Sequence, residues 1–445
     1  MKRKLFLAAS TFMCFSILLK AQQKNTNASS SITGDWLLTI DYYGNPMQQA
    51  ISLKQEGTIV SGKFINDDSA KLIVTMKGNM LHMLNPQSDS SSTVYDGVFL
   101  ANEGSGKVIM YDPLVKDSII TKWVATRLVT TRPTLSQRIN FTPTQFQRGF
   151  SAYVPPVLHI WPADTVHTES VDAGGYDKLG IRRVMGGNPL TGPFYIETAL
   201  PGDVVAITIT RLRLNRNWAI SDEQLVNRAM TNDYAKKVKD SYETVKWKLD
   251  MEKGTATPAK PHEHMKNYVV PVKPMLGCVG LAPWFGSQSI GTGDSGPFGG
   301  NMDFNSICEG ATVYLPVMHA GALLYIGDAH ALEGDGELTG DALETSMDIE
   351  FTVKVLKGTD ANASMPRVED ANYIMAVGLS GSLDNAFRDA TSELANWLEH
   401  DYKLSPQETA QVLGTAIEYH ICEVADRNVG VVAKIKKVRL KDLKQ

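Results

Sequence analysis

Between Met347 and Val355 the chain alternates without a break. Met347, Ile349, Phe351, Val353 and Val355 are apolar, and Asp348, Glu350, Thr352 and Lys354 between them are polar. Successive side chains of a strand point to opposite faces, so this segment reads as a strand with one face buried and one wet. A helix would scatter the same residues around its circumference. Near the start, Trp36, Leu38, Ile40 and Tyr42 alternate with Leu37, Thr39 and Asp41, and Val204 to Leu214 is alternating and β-branched. The chain is therefore read as mainly β. Its 445 residues suffice for two or three domains with a large core. The formal net charge of -4 gives no sign of a nucleic-acid partner or of an anionic membrane surface.

Residues 1–21 carry a basic start (Lys2, Arg3, Lys4), an apolar run from Leu5 to Leu19 and then polar residues. That order is expected of a signal peptide for export to the periplasm or the medium, and the run is short for a spanning helix. Residues 22–31 read as a flexible polar leader. Residues 32–128 have the short strands and Gly/Pro/Asn turns of an accessory antiparallel β domain, a barrel or sandwich of hairpins. Its one histidine, His82, is read as structural. Residues 129–152 are polar with two prolines and read as a linker. Residues 153–445 form the last unit.

Within that unit, residues 221 to 252 are highly charged and are expected to form a helical surface excursion. Two C-terminal helices are also expected. Leu383, Ala386, Phe387, Ala390, Leu394, Trp397 and Leu398 fall on one face, with Ser382 as N-cap. Ser405-Pro406-Gln407-Glu408 reads as a capping box ahead of a second stripe, Val412, Leu413, Ala416 and Ile417. Val431-Val432-Ala433 reads as a closing strand. With signal removal, Cys278, Cys308 and Cys422 remain, which is no disulfide scaffold.

Chemistry concentrates between Gly291 and Glu344. GTGDSGPFGGNMD has too many glycines for a regular element and ends in Asn301 and Asp303. No Gly-Lys-Ser/Thr follows, so it is not a phosphate loop. His319 follows a strand, and then comes GDAHALEGDGE. In extended chain Asp328 and His330 share a face, as do Asp335 and Glu337. Imidazole with carboxylate suits Zn²⁺ or another divalent transition metal, although short D-x-H steps also arise in loops without one. A second group, Asp164, His167, Glu169 and Asp172, lies upstream. Solvated acids at a strand end are the plainer account of Asp164 and His167. The GLSGSLDNA stretch lacks the strand-to-helix elbow of a serine nucleophile, and no charged neighbour marks Cys278 or Cys308 as reactive.

NPLTGPFYIETALPGDVVAITI (188–209), GCVGLAPW (277–284), GPFGGNMD (296–303) and LPVMHAGALLYIGDAHALEGDGELTGDALE (315–344) follow one another in an order that resembles the acetamidase/formamidase family, over about residues 153–435. The resemblance implies a jelly-roll-like β-sandwich with a small β-barrel, an α+β segment and C-terminal helices. It also implies hydrolysis of short linear amides to acid and ammonia, and a homo-oligomer. The implied functional positions are Asn301, Asp303, His319, Asp328, His330 and Glu337, with Asp172 upstream. The expected roles are Asp172, Asp328, His330 and His319 toward a divalent metal, expected to be Zn²⁺, with Asp303 as a further candidate ligand. Glu337 is the expected general base and acid, and Asn301 the expected oxyanion donor. The chain departs from the pattern in four places: the export signal, the N-terminal β domain, Ala163 where glycine is expected in a GDTV-like turn, and the charged stretch 221–252, read as an insertion that would reshape the pocket entrance. These bear on the substrate more than on the reaction class, and the chain length and export signal favour, as an alternative, a larger amide. A secreted binding protein with a retired site is a further alternative, against which the intact set of Asp328, His330, Asp335 and Glu337 speaks.

Overall fold

The computed structural model describes residues 31–87, 92–112, 115–238, 243–284, 286–358 and 362–443. The expected signal peptide and nearly all of the leader lie outside the described residues. Among the described residues no helix is long and apolar enough to cross a membrane.

Eight antiparallel strands between Gly34 and Arg127 form one meandering sheet. Its end strands, Ile59–Phe64 and Ile73–Lys77, come together side by side, so the sheet curls into a near-closed barrel. Gly62 shows how tight this seam is: a Cβ there would lie 2.8 Å from Val74 Cγ2. The inward set of the alternating pattern fills the barrel. Trp36 packs edge-on against Phe99 at 4.8 Å between ring centroids, and Phe99 lies 5.4 Å from Trp123. Closure removes exposed sheet edges and lets so small a unit keep its own core.

Among the described residues, the rest of the chain builds an 11-stranded sheet, a 9-stranded sheet and a two-stranded pair. The inner faces of the two large sheets share one core, which includes Ile207, Leu276, Val279, Ile326, Ile349, Phe351 and Val377. The alternating strand Met347–Leu356 sits inside the 9-stranded sheet, between Val204–Leu214 and Thr165–Glu169. Residues 129–152 are stitched into this body: Arg138–Asn140 pairs with Thr165–His167, and Gly149–Phe150 with Ile290–Gly291. The barrel contacts the body through Asn66, which donates to Asp203 (2.7 Å) and Pro201 O (3.0 Å). The Ala320 amide also donates to Gln48 Oε1 (2.8 Å).

Helix Leu383–Tyr402 begins at Ser382, whose side chain accepts from Asn385 N, and helix Pro406–Ala416 begins with the Ser405–Glu408 capping box. The first helix lies on strand Tyr373–Ser380, where Gly378 permits the approach: a Cβ would fall 1.9 Å from Ala386 O. Ala386, Ala390, Leu394, Trp397 and Leu398 are buried, but Leu383 and Phe387 stay partly exposed, so the buried stripe is narrower than expected. Val429–Lys436 is an inner strand, and Glu418–Glu423 forms the edge beside it.

The expectation for residues 221–252 is overturned. Trp218–Asp222 and Thr244–Asp250 form an antiparallel pair, and the helical turns among the described residues of this stretch are the short ones at Asn227–Ala229 and Asn232–Ala235. The physical reason is the period of two in Val245, Trp247 and Leu249, which outweighs the helix-favouring charged residues. Trp247 Nε1 ties the pair together by donating to Ser221 Oγ at 2.9 Å.

Candidate active site and metal centre

The site begins at a residue with no side chain. Gly277 lies on strand Met275–Gly280, between Leu324–His330 and Gly299–Asn301. A Cβ on Gly277 would sit 2.3 Å from Asp303 Oδ1, 2.8 Å from Asp328 Oδ2 and 2.9 Å from His330 Cε1. The space glycine leaves is filled by the converging side chains of its neighbours.

Asp328 and His330 reach this spot from one strand, as their i, i+2 spacing predicts. Glu344 is the direct cross-strand partner of His330, and its Oε1 lies 3.0 Å from His330 Nε2. Asp328 Oδ2 is 3.7 Å and Glu337 Oε1 is 4.0 Å from the same nitrogen. The other ring nitrogen, Nδ1, lies 2.9 Å from Glu333 Oε2. Such a contact fixes the ring and leaves Nε2 as a donor toward a cation. Asn301 Nδ2 donates to Asp303 Oδ2 (2.7 Å) and Asp426 Oδ2 (3.0 Å), and Asn188 Nδ2 donates to Asp328 Oδ2 (3.1 Å). Glu423 arrives from the edge strand, bridged to Gly336, and holds the Asp426 amide at 2.7 Å.

The backbone is bent to bring these acids together. Asp303, Asp328 and Glu337 all have left-handed φ, at 39°, 51° and 43°. Non-glycine residues adopt this region at a cost, and such residues cluster where function holds them. Ala163 has φ 71°, the conformation for which glycine was expected at that turn.

Burial dominates the electrostatics. It pushes the carboxyls of Asp303 and Glu337 well above their usual range, with the neighbouring acids adding to it. Burial also moves Glu333 up to about 8, Glu423 up to about 7 and Asp426 up to about 6. His330 moves up as well: burial opposes its charge, but Glu344 and Asp328 outweigh that. Asn301 Oδ1, Asp303 Oδ1, Asp328 Oδ1, Glu333 Oε1, Glu344 Oε2 and Glu423 Oε2 are buried without a hydrogen-bond donor from the protein. Buried lone pairs are costly to leave unmatched, and a cation satisfies them. The donor set fits a divalent ion: ligand atoms of Asp303, His330, Glu333 and Glu337 lie within 4.8 Å of one another, as do those of Asp328, His330 and Glu344.

Asn301, Asp303, Asp328, His330 and Glu337 thus meet as expected. Two expected ligands do not. Asp172 Oδ2 accepts from Arg216 Nη2 (2.7 Å) and Oδ1 accepts from the Tyr176 amide (2.8 Å), so both oxygens are engaged. Arg216 also donates to Glu344 O and Thr345 Oγ1, which makes the pair a buttress behind the site. His319 lies at the far end of the same strand pair. Met275 is level with His330, Gly280 with Tyr325, and Ala282 bonds Ala322 beyond them. Five residues of strand alone separate His330 from Tyr325 by about 16 Å. His319 instead bonds the Pro283 backbone, and burial lowers its pKa.

The upstream acids are accounted for locally. Buried Asp164 holds Arg132 and the Gln137 and Trp161 amides, and Glu169 pairs with Lys178. Asp335 is largely exposed and meets Asn305 and His420. Glu333, Glu344, Glu423 and Asp426 were missed from sequence. The first two sit inside the singled-out stretch and were legible there; the last two come from the end of the distant edge strand Glu418–Glu423 and the turn after it, with no local motif.

The model of the acetamidase/formamidase family matches residues 287–433. An acetamidase of Mycolicibacterium smegmatis is 33% identical over 112 residues, which cover 22% of this chain and 28% of that protein. The chain therefore spans under a third of that curated relative. Crystal structures align over more. The acetamidase of Bacillus halodurans is 25% identical with a TM-score of 0.59, covering 68% of this chain and 99% of that one. The acetamidase of Yersinia enterocolitica is 27% identical with a TM-score of 0.59, covering 69% and 94%. The sandwich body, the glycine-centred site and these matches point one way: the chain is similar to the acetamidase/formamidase family, whose model its residues 287–433 match.

Proposed function

We propose that this protein is an amidohydrolase that cleaves the C–N bond of a linear, non-peptide amide to a carboxylic acid and ammonia. The observation that carries this reading is the buried acid–imidazole cluster over Gly277, whose orphaned oxygens fit a divalent cation. Similarity to the acetamidase/formamidase family supports the reaction class. Asp328, His330 and Glu344 would hold the ion, in place of the expected Asp172 and His319. When bound, a divalent cation polarises an amide carbonyl and lowers the pKa of water toward neutrality. One imidazole among carboxylates suits Mn²⁺ as well as the expected Zn²⁺.

Glu337 remains the proposed proton carrier. As a carboxylate it can take a proton from the attacking water. Burial beside other acids favours its protonated form, which can pass that proton to the leaving nitrogen. Glu333 orients the His330 ring through Nδ1. Asn301 is reassigned: its amide hydrogens are directed at Asp303 and Asp426, so it holds two acids together rather than serving an oxyanion.

The wall of the site bears on substrate size. Arg228, from the loop after Trp218–Asp222, donates to Asp426 O (2.5 Å) and Val424 O (3.2 Å), and the Val226 amide donates to Leu338 O. That loop therefore borders both acid-bearing turns, and its length is where a preference for a larger amide would be set. Export, from the basic and apolar start, and homo-oligomerisation, from the family resemblance, belong to the same proposal. The test is ammonia release from short and larger linear amides before and after chelation. Folded, metal-loaded protein that releases none would reject the enzyme reading in favour of a binding role.

A further inference from the structure

We propose that the cluster holds two divalent cations, one at each of two poles that share His330. This rests on the metal-centred reading above and concerns how many ions this chain's own residues take.

One pole is formed by Asp328, Glu344 and His330, the other by Asp303, Glu333, Glu337 and His330. Within each pole every ligand atom lies within 4.8 Å of the others. A cation with oxygen ligands at 2.0–2.6 Å spans ligand pairs up to about 5 Å apart, so each pole is the size of one coordination sphere. The two sets do not merge into one sphere; only the imidazole belongs to both. One ion would leave either Asp328 and Glu344 or Asp303 and Glu333 without a cation.

Independent support comes from unmatched atoms. Each pole has its own buried oxygens with no donor from the protein: Asp328 Oδ1 and Glu344 Oε2 at one, Asp303 Oδ1 and Glu333 Oε1 at the other. All four residues are more than nine-tenths buried. The acids at both poles have little nearby positive charge to set against theirs. Arg216, the buried guanidinium beside Glu344, is committed to Asp172, and its contact with Glu344 is to the main-chain oxygen. One imidazole cannot balance carboxylates on both sides of it, and buried charge without a counter-charge is strongly disfavoured. A second cation supplies that charge at the pole the first leaves open.

The experiment is metal stoichiometry on the full chain as purified, stripped with chelator and reloaded with Mn²⁺ alone, read by elemental analysis and by electron paramagnetic resonance. Two equivalents per chain with an exchange-coupled Mn²⁺ spectrum are expected. Asp303→Asn and Glu333→Gln should each retain one equivalent and give an uncoupled spectrum. Saturation of the wild-type protein at one equivalent, with an uncoupled spectrum, overturns the two-ion inference and leaves the one-ion reading standing. Saturation at no equivalents in protein shown folded by circular dichroism overturns both. The wild-type stoichiometry decides the matter even if a variant fails to fold.

Discussion

His330 and Glu344 face each other across two antiparallel strands, with Nε2 and Oε1 3.0 Å apart and both side chains buried. Register alone sets this pair. A shift of one residue would turn Glu344 to the other face of the sheet. Glu344→Gln keeps the shape but removes a charge from the Asp328 pole. We expect metal affinity to fall at least tenfold while the fold persists, measured by competition with a chromogenic chelator; unchanged affinity would exclude Glu344 as a ligand.

Glu337→Gln should separate chemistry from binding. Positioned proton transfer contributes about 10²–10⁴-fold in rate. Ammonia release from the best substrate should fall by a factor in that range while the protein keeps metal at Asp328, His330 and Glu344 and melts as a folded domain. Turnover within a few-fold of wild type would remove Glu337 from the mechanism.

Gly277→Ala tests the cradle itself. The added methyl would lie 2.3 Å from Asp303 Oδ1 and 2.8 Å from Asp328 Oδ2. Overpacking a buried site costs about 1–3 kcal/mol. The variant should fold with a lowered Tm and lose most of its metal. Full metal content would mean that the cluster does not converge on this glycine.

Asp172→Asn tests the buttress. It removes the carboxylate facing Arg216 at 2.7 Å and leaves a buried guanidinium without its counter-charge. Breaking a buried pair in this way costs about 3–5 kcal/mol. Urea unfolding should show that loss, while the metal equivalents of the folded fraction stay at the wild-type value. Loss of metal at unchanged stability would restore Asp172 as a ligand.

The metal-free protein should lose stability as pH rises. Glu333 is pushed up to about 8 and Glu423 up to about 7, and His330 is raised by Glu344 and Asp328. The folded state therefore binds protons that the unfolded state releases at lower pH. The contribution is full below the carboxylates' unfolded pKa, near 4.3, and disappears as pH climbs through 7 to 8. Thermal melts in chelator should give a higher Tm at pH 6 than at pH 8.5, and saturating divalent cation should flatten the trend. A chelated protein that gains Tm over that range would contradict the buried, proton-holding cluster.

Much of this molecule was legible along the chain. Strict alternation at Met347–Val355 gave a strand, since side-chain direction follows from backbone period alone. Ser382 and Ser405 gave helix starts because a cap is a local hydrogen bond. Asp328 and His330 could be paired because two residues of strand carry both to one face. The charged stretch 221–252 misled for the converse reason: helix propensity is a weak local preference, and pairing of Thr244–Asp250 with Trp218–Asp222 overrode it.

The chain by itself thus determined which elements form and which stretch carries the acids and the imidazole. Only the tertiary structure decided which of them meet. Cross-strand register put Glu344 against His330, and the edge strand brought Glu423 and Asp426 from the far end of the sequence. Arg216 claimed Asp172, and the length of one strand carried His319 out of reach. The physical reason is that residue type and spacing act through neighbours in sequence. The partner that satisfies a buried oxygen is set by sheet register and by competition among charges far apart in the chain.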